Sequence, residues 1–346
     1  MGCVIIKNNK LVGVGSTSEE GRPHAEENAI NMADKAALGA TLYVSLEPCN
    51  INNNALSCVN KIIKAGIKRV VFSMLDPNKK TFNNSVKFFK KNGIETEQLK
   101  PEFSNFLINY AHFCYHKLRR PMVALKLATS VNGKIASLKN KSRWITSKLA
   151  RKHVHQVRSF YDAIIIGSRT VQIDDPTLNV RISGFKKKIT RVILDTNLKI
   201  KFDAKLIKTS HKDNLIIFCE ESSFKKNENK IKLLKEKGIQ IYKIAKIANG
   251  RGLNVIKVIK KLHKLGYQKL LVEGGAKLAY SFIKNHLVDY FYHYKSDKFL
   301  NSTDLDMINV TAEVDNFLFM YNKLKLEDNN LDIWLNKNIR QAYKKI

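Results

Sequence analysis

One histidine, one glutamate and two cysteines constrain the fold of this chain more than any other feature. A His-Ala-Glu sequence begins at His24, a Pro-Cys pair ends at Cys49, and Cys58 comes after eight further residues. One imidazole and two thiolates form a suitable ligand set for zinc, and three protein ligands leave the fourth tetrahedral position open for water, as in catalytic sites. We therefore predict that His24, Cys49 and Cys58 bind Zn²⁺, which requires distant parts of the sequence to converge.

Glu26 is predicted to be the catalytic acid–base residue. It lies two positions after His24 at the start of a predicted helix, so its carboxylate can reach a bound water without being a ligand. Zinc lowers the pKa of such a water to about 7, and a nearby carboxylate can take its proton and pass it to a leaving amine. Two alternatives stay open: a surface histidine with buried cysteines, and a structural zinc that Cys3 or another histidine completes.

Short apolar runs alternate with helix-like stretches along the chain, which predicts layers of α-helices and β-strands. Predicted strands are residues 3–6, 11–14, 41–45, 69–72, 123–128, 163–166, 191–194, 215–218 and 269–272. Predicted helices are residues 24–37, 58–65, 85–91, 102–116, 147–157, 252–265 and 276–284. Gly66, Gly93, Gly238 and Gly266 follow helical stretches, as left-handed C-terminal caps do.

An Arg-Arg-Pro sequence at residues 119–121 marks the boundary between two domains. A predicted helix precedes it, and a strand follows. Because proline disfavours the helical conformation in the residue before it, the helix should end here. We predict one domain at residues 1–118 and another at 119–346, each long enough to bury its own core.

The charge of the chain bears on its partners. Of 346 residues, 61 are Lys or Arg and 30 are Asp or Glu, which gives a formal charge of +31. Such a charge suits a nucleic-acid binder. However, the lysines are spread throughout the sequence, and no basic stripe is interleaved with aromatic residues. We expect no nucleic-acid partner, because a positive field also favours a phosphorylated small substrate.

Three features indicate the location of the protein. No apolar run reaches the roughly 18 residues of a membrane-spanning helix, and residues 1–10 lack the pattern of a signal peptide. The five cysteines, an odd number, fit a reducing compartment better than a disulfide scaffold. We therefore expect a cytoplasmic protein with no membrane partner.

The order of the His-Ala-Glu sequence, the Pro-Cys pair and the second cysteine is that of zinc-dependent base deaminases. Those enzymes usually end the motif as P-C-x-x-C, whereas the longer loop here resembles the deaminase half of the bifunctional deaminase–reductases of riboflavin biosynthesis. Further motifs resemble the reductase half of that family; they lie at residues 120–126, 130–136, 142–146, 154–158, 162–164, 167–171, 174–181 and 272–278. The resemblance spans nearly the whole chain.

This resemblance implies a fold and an activity. The fold is α/β, with an N-terminal cytidine-deaminase-like three-layer α/β/α domain and a C-terminal dihydrofolate-reductase-like α/β domain. The enzyme would deaminate 2,5-diamino-6-(5-phosphoribosylamino)pyrimidin-4-one hydrolytically with Zn²⁺. It would then reduce the ribose with NADPH to give 5-amino-6-(5-phosphoribitylamino)uracil. The partner is thus a small phosphorylated pyrimidine. We also expect a homo-oligomer, because domains with a short N-terminal edge gain from pairing.

The resemblance also implies the residues of the reductase site. NADPH contacts are expected at Ala128, Trp144, Thr170, Asp174, Thr196, Gly275, Ala276, Lys277, Leu278, Ala279, Tyr280 and Ser281. Substrate contacts are expected at Ser142, Arg158, Leu178, Arg181 and Glu273. The residues themselves suit these roles, since glycines before a helix let the backbone approach a pyrophosphate and arginines bind phosphate in pairs. A plain strand-to-helix turn and two solvated arginines are the alternatives.

The sequence departs from the family at two places in the first domain. The family normally has a further segment before the motif in which Met1 lies. Residues 50–57 lack the usual histidine, glycine, basic residue and Thr-Pro-Pro, although the Asp-Pro-Asn sequence at 76–78, expected to hold the substrate, is kept. Two alternative functions follow: a reductase with an impaired deaminase domain, and a zinc deaminase that acts on nucleic acid.

Overall fold

The chain divides into two compact units. The computed structural model describes residues 1–18, 21–51, 57–136, 145–185, 187–245, 247, 252–300, 305–306 and 317–346. One unit comprises Met1–Arg119 with Ala342–Ile346, and the other comprises Arg120–Gln341. The predicted second domain ran to residue 346, so the structure differs from this prediction in the last five residues.

No helix in the described part of the chain is both long and apolar enough to cross a membrane.

Tyr343 explains why the end of the chain groups with the first unit. Its ring lies 5.3 Å from the ring of Phe103 in an edge-to-face arrangement. Its hydroxyl donates a hydrogen bond to the carbonyl oxygen of Pro101 at 2.9 Å. Edge-to-face aromatic pairs of this kind add to the stabilisation from burial. A half-buried tyrosine three residues from the C-terminus therefore packs against α4 and the residues before it.

The first unit is a five-stranded sheet with helices. Its strands are β1 (Gly2–Lys7), β2 (Lys10–Ser16), β3 (Thr41–Val44), β4 (Arg69–Phe72) and β5 (Glu95–Gln98). Its helices are α1 (Ala25–Ala33), α2 (Cys58–Lys64), α3 (Asn84–Lys91) and α4 (Phe103–Phe113). The strand order is β2-β1-β3-β4-β5. β1 is antiparallel to both of its neighbours, and β3, β4 and β5 are parallel.

Two glycines of β2 bring α1 against the sheet. A Cβ atom on Gly15 would lie 2.1 Å from the carbonyl oxygen of Ala25, and one on Gly13 would lie 2.4 Å from that of Ala29. Only glycine permits backbones to approach this closely. The buried alanines of α1 pack in the same core as Ile5 of β1. The position of the N-terminus of α1 is thus set by the absence of side chains on β2.

The second unit contains eleven strands among the described residues, nine of which form one sheet. Its strands are β6 (Met122–Thr129), β7 (Lys134–Ala136), β8 (Ala163–Gly167), β9 (Thr190–Leu194), β10 (Leu215–Glu220), β11 (Gln240–Ile244), β12 (Lys269–Glu273), β13 (Tyr290–Ser296), β14 (Leu305–Asp306), β15 (Leu318–Leu326) and β16 (Asn329–Asn336). The order in the large sheet is β11-β10-β9-β8-β12-β6-β13-β16-β15, while β7 pairs with β14. From β11 to β13 neighbouring strands are parallel, and β16 and β15 are antiparallel to their neighbours.

Helices connect the parallel strands of this sheet, and one more helix follows the last strand. They are α5 (Lys148–Ser159), α6 (Ser168–Asp174), α7 (Lys205–Lys208), α8 (Glu221–Lys226), α9 (Glu228–Glu236), α10 (Val255–Lys264), α11 (Ala276–Lys284) and α12 (Lys337–Tyr343). The core consists of side chains from β6, β8 to β10 and β12 packed against α10 and α11. Strands buried on both faces carry continuous apolar sequences, which is why the sequence indicated them clearly. The four glycines predicted to cap helices all have positive φ, between 69° and 92°.

Candidate active sites

The three predicted zinc ligands meet at one edge of the first unit. His24 immediately precedes α1, Cys49 lies in the segment after β3, and Cys58 is the first residue of α2. The His24 Nδ1 atom lies 3.2 Å from the Cys58 Sγ atom and 3.6 Å from the Cys49 Sγ atom. The three ligand atoms lie within 4.8 Å of one another. Sequence positions that are far apart thus converge on one point.

The geometry of these atoms fits a zinc ion. Zn–S bonds of about 2.3 Å and Zn–N bonds of about 2.0 Å in a tetrahedron separate sulfur from nitrogen by roughly 3.5 Å. The two measured distances, 3.2 and 3.6 Å, lie close to this value. Among the described residues, this is the one group of three or more potential ligands, and Cys3 is not part of it. A structural zinc completed by Cys3 is therefore not supported, and no fourth His, Cys, Asp or Glu among the described residues joins the group.

Glu26 lies beside the ligands in the first turn of α1. Its side chain is 5% exposed, and its carboxylate interacts with the Cys58 thiol and with the charge of His24. Burial raises the pKa of the Glu26 carboxyl above its usual range. A carboxylate whose pKa is raised is a stronger base than usual, as suits a residue that first accepts a proton and then donates it.

Hydrogen bonds around Cys49 lower the pKa of its thiol. The Cys58 backbone N–H donates to the Cys49 Sγ atom at 3.5 Å. Hydrogen bonding from the Cys58 thiol, followed by that from His24, lowers the pKa of Cys49 to about 4. Hydrogen bonding to Cys49 also raises the pKa of His24. A thiolate is the form of cysteine that binds metal, so these hydrogen bonds favour the metal-binding form of Cys49.

The predicted cofactor residues lie at the carboxyl ends of four adjacent parallel strands. Ala128 is near the end of β6, Thr170 and Asp174 are in α6 after β8, Thr196 follows β9, and Gly275 begins α11 after β12. In the sheet these strands are neighbours in the order β9-β8-β12-β6. Ligands of open α/β sheets bind at this edge. The structure therefore brings together the predicted cofactor residues that it describes, whereas Ser142 and Trp144 lie outside the described residues.

The turn before α11 suits a phosphate-bearing ligand. Gly274 has a φ of +136°, and a Cβ atom there would lie 3.2 Å from the Thr170 Oγ1 atom. Gly275 is the N-cap of α11, whose first turns contain the remaining predicted cofactor residues, Ala276 to Ser281. The free N–H groups of a helix N-terminus favour anions.

The predicted substrate residues surround this edge. Arg158 of α5 forms a two-point ion pair with Glu273 at the end of β12, and its Nη1 atom donates to the carbonyl oxygen of Asn179 at 3.3 Å. Arg181 is exposed, and its Nη1 atom donates to the Thr177 hydroxyl and the Asn179 side chain, both at 3.3 Å. The Arg158–Asn179 bond joins the loop of residues 175–181 to α5, and the bonds of Arg181 lie within that loop.

Two residues of this site were not predicted. The Nδ1 atom of the buried His155 accepts a hydrogen bond from the Arg181 backbone N–H at 3.2 Å. Lys126 of β6 lies directly opposite Glu273 of β12, and burial lowers the pKa of its amine. A lysine within an otherwise apolar strand and a histidine one turn before Arg158 are sequence signals that could have identified them.

Comparisons with known proteins agree with both sites. Residues 1–74 match the cytidine and deoxycytidylate deaminase zinc-binding region, and residues 121–300 match the RibD C-terminal domain. The riboflavin biosynthesis protein RibD of Aquifex aeolicus is 38% identical over 289 residues, which cover 84% of this chain and 78% of that protein. RibD of Bacillus amyloliquefaciens is 33% identical over 85% of this chain and 77% of that protein. The chain belongs to the RibD family.

Solved structures of RibD share the architecture. Acinetobacter baumannii RibD superposes with a TM-score of 0.83 at 27% identity and covers 97% of this chain and 92% of that one. A Thermotoga maritima protein described as a diaminohydroxyphosphoribosylaminopyrimidine deaminase and 5-amino-6-(5-phosphoribosylamino)uracil reductase has a TM-score of 0.80 at 28% identity, covering 97% and 91% of the two chains. The predicted fold class, a cytidine-deaminase-like domain followed by a reductase domain, is confirmed.

As a member of the RibD family, the protein is a bifunctional enzyme of riboflavin biosynthesis with deaminase and reductase activities. It uses Zn²⁺ and NADPH. These predictions from the sequence are confirmed. Neither the relatives nor the described residues favour the two alternatives, an impaired deaminase domain and a deaminase acting on nucleic acid.

Proposed function

We propose that the first unit deaminates 2,5-diamino-6-(5-phosphoribosylamino)pyrimidin-4-one and that the second reduces 5-amino-6-(5-phosphoribosylamino)uracil. The observation that carries this proposal is the convergence of His24, Cys49 and Cys58 within 4.8 Å beside the buried Glu26. The similar Thermotoga maritima protein, described by these two reactions, supports the choice of substrates. The functional domains then correspond to residues 1–118 and 119–346, apart from the C-terminal residues that group with the first unit.

In the deaminase reaction, His24, Cys49 and Cys58 would hold the zinc ion. Zinc supplies a water of lowered pKa at the fourth coordination position. Glu26 would take one proton from the attacking water and pass it to the amino group as the C2–O bond forms. The second water proton would pass to the ring nitrogen beside C2, the C2–N bond to the amine would break and ammonia would leave, so that a carbonyl replaces the amine. The raised pKa of Glu26 suits both transfers.

In the reductase reaction, the carboxyl ends of β9, β8, β12 and β6 would bind NADPH. The cofactor supplies a hydride to C1′ of the opened ribose. Arg181, whose guanidinium is exposed, is the better candidate for binding the substrate phosphate. Arg158 remains in the substrate set because it holds the same loop through Asn179, while its other donors are bound to Glu273. Leu178 and Ser142 complete the proposed contacts.

The decisive experiment compares Glu26→Gln with Glu27→Gln. Glu27 is the next residue of α1 and pairs with Lys61, so its replacement is a matched control. We expect Glu26→Gln to lower ammonia release by about a hundredfold or more, with unchanged zinc content and unchanged NADPH oxidation on the deaminated substrate. Equal ammonia release by wild type and Glu26→Gln would remove Glu26 from the mechanism. An inactive wild type with a working reductase would favour the impaired-deaminase alternative.

We further propose that the partner is a small phosphorylated pyrimidine and that the enzyme is a cytoplasmic homo-oligomer with no nucleic-acid or membrane partner. The substrate class follows from the activities of the RibD family. Sedimentation of the purified protein tests the oligomer. Titration with single-stranded RNA at two salt concentrations tests whether the positively charged protein binds nucleic acid. Such binding must weaken steeply as salt rises, and tight binding at physiological salt would contradict the proposal.

A further inference from the structure

A buried carboxylate lies two residues before the zinc ligand Cys49. The Glu47 side chain is 2% exposed. It belongs to the segment that connects β3 to Cys49. Neither the sequence motifs nor the chemistry proposed above gives it a role. A glutamate this deeply buried requires hydrogen-bond donors around both of its oxygen atoms.

Four donors from one other segment bind this carboxylate. The Oε2 atom accepts hydrogen bonds from the backbone N–H groups of Asp76 at 3.1 Å and Asn83 at 2.9 Å. The Oε1 atom accepts from the Ser85 backbone N–H at 3.2 Å and from the Ser85 hydroxyl. The Glu47 backbone N–H also donates to the carbonyl oxygen of Met74 at 2.8 Å. One residue therefore joins the zinc-ligand segment to residues 74–85.

The sheet topology places both segments at the same edge. β3 and β4 are adjacent and parallel, with Val44 opposite Phe72. The segment that carries Cys49 leaves the carboxyl end of β3, and residues 74–85 leave the carboxyl end of β4. Ligands of α/β sheets bind at this edge. The position of residues 74–85 relative to the zinc ligands thus depends on Glu47.

Further hydrogen bonds fix the segment that Glu47 binds. The Asp76 carboxylate accepts hydrogen bonds from the Asn78 backbone N–H and from the His112 Nε2 atom of α4, both at 2.8 Å. Hydrogen bonds to a charged carboxylate are roughly twice as strong as neutral ones. An uncharged side chain at position 47 would leave several N–H donors poorly satisfied, and the segment would shift.

We propose that Glu47 is a positioning residue of the deaminase reaction, which fixes residues 76–85 as a wall of the substrate cavity in register with the zinc ligand Cys49. This inference rests on the proposed function of the first unit. Glu47 does not touch the metal or the substrate; it acts through the two segments that it joins. Its loss should therefore affect substrate binding and ligand geometry rather than the presence of the metal.

The test uses the full-length enzyme and three variants. Glu47→Gln keeps the shape but replaces one acceptor oxygen by an amide that donates. Ser85→Ala removes one of the four donors and keeps the fold of the carboxylate site. Glu95→Gln, in β5 of the same sheet, changes an exposed glutamate and is the control. Measurements are kcat and KM of deamination, zinc per chain, the far-UV circular dichroism spectrum as a folding control, NADPH-dependent reduction as a control for the second unit, and the visible spectrum of the cobalt-substituted protein.

We expect Glu47→Gln to lower kcat/KM of deamination by about a hundredfold, as a misplacement of about 1 Å does, with the larger part in KM. Ser85→Ala should lose less, and Glu95→Gln nothing. Zinc content and reduction should stay at wild-type levels while the cobalt d–d bands shift. Unchanged deamination and an unchanged cobalt spectrum in Glu47→Gln would overturn the proposal. If Glu47→Gln does not fold, wild-type kinetics in Ser85→Ala would overturn it instead.

The failure of the proposed function gives a different result. A wild-type protein that releases no ammonia contradicts the deaminase assignment. The cobalt spectra then still decide the role of Glu47, because they report ligand geometry without substrate. Identical spectra of wild type and Glu47→Gln refute the positioning role, and different spectra with equal metal content support it.

Discussion

Arg158 holds the carboxylate of Glu273 at two points. The Arg158 Nε atom donates to Oε1 at 2.6 Å, and Nη2 donates to Oε2 at 2.8 Å. The two side chains are 13% and 9% exposed. Burial raises the pKa of Glu273, but the charge and hydrogen bonds of Arg158 outweigh it and lower the pKa to about 2. The carboxyl end of β12 therefore carries an ionised carboxylate whose charge Arg158 balances, beside the proposed cofactor site.

Removal of Arg158 should destabilise the second unit strongly. In Arg158→Met, Glu273 becomes a buried carboxylate without its main partner, and loss of one partner of a buried pair costs about 3–5 kcal/mol. Both tryptophans, Trp144 and Trp334, belong to this unit, so tryptophan fluorescence during urea unfolding reports it selectively. The double variant Arg158→Met with Glu273→Gln should recover part of the loss. A single variant as stable as wild type would contradict the role of the pair.

The same variant should change the pH dependence in a defined direction. In wild type, the lowered pKa of Glu273 gives stability that is present above about pH 4.5 and lost as pH falls toward 2. In Arg158→Met, burial raises the pKa of Glu273 above its unfolded value, so the variant should be more stable at pH 5 than at pH 7. The stability difference from wild type must therefore shrink as pH falls from 7 to 5.

The deaminase site could be predicted from sequence because its chemistry fixes residue types. His24, Cys49 and Cys58 are rare in this combination, and each lies at the end of a secondary-structure element that the sequence also indicated. The Glu47 carboxylate could not be predicted. Its partners are backbone N–H groups, which any sequence supplies, so only the folded positions of residues 76–85 show what it binds.

The second unit also has some features that could be predicted from the sequence and others that could not. Its buried parallel strands were predicted because they are continuous apolar runs. β13, β15 and β16 were not among the predicted strands. The middle of β15 is exposed, and strands with one solvated face carry a weaker apolar signal. His155 was also missed as a site residue, because its role depends on the Arg181 backbone N–H, which lies 26 positions later in the sequence.

Gly15→Ala should damage the zinc site from the opposite side of α1. The new Cβ atom would lie 2.1 Å from the Ala25 carbonyl oxygen and 2.5 Å from the Ala29 nitrogen. Because Ala25 lies between His24 and Glu26, the helix must shift and take both residues with it. We expect a loss of zinc affinity and a fall in ammonia release of about tenfold or more, with reduction unchanged. Gly2→Ala, which meets no atom within 4 Å, is the control, and full zinc occupancy in Gly15→Ala would contradict the expectation.

His155 should contribute to stability only while it is neutral. Burial, followed by the charges of Arg158 and Arg181, lowers its pKa to about 4. The unfolded histidine titrates near about 6.5, so this contribution is present above that pH and is lost as pH falls from about 6.5 toward 4. His155→Leu should raise KM for the reductase substrate and flatten this pH dependence.

The variant His155→Asn separates the two effects of this histidine. Its amide oxygen can take the place of the Nδ1 acceptor for the Arg181 backbone N–H, but the side chain does not titrate. We expect a KM near that of wild type together with a flat pH dependence of the urea midpoint between pH 6.5 and 4. Replacement of the exposed His211 by Gln should alter neither quantity. A His155→Leu enzyme with wild-type KM would show that the hydrogen bond to Arg181 does not order the loop.

Replacement of Arg191 should also destabilise the second unit. It lies in β9, is 1% exposed, and donates to the Thr209 hydroxyl at 2.6 Å, the Thr209 carbonyl at 3.0 Å and the Asp213 carbonyl at 2.7 Å. Arg191→Met removes the guanidinium donor of the Asp213 carbonyl, and an unsatisfied buried group costs about 1–3 kcal/mol. By contrast, the Thr209 carbonyl keeps the Lys212 backbone N–H and the Thr209 hydroxyl keeps the Lys205 carbonyl. Tryptophan fluorescence in urea should show a lowered midpoint, while the exposed Arg169→Met should match wild type. Equal midpoints for the two variants would mean that the acceptors find other partners.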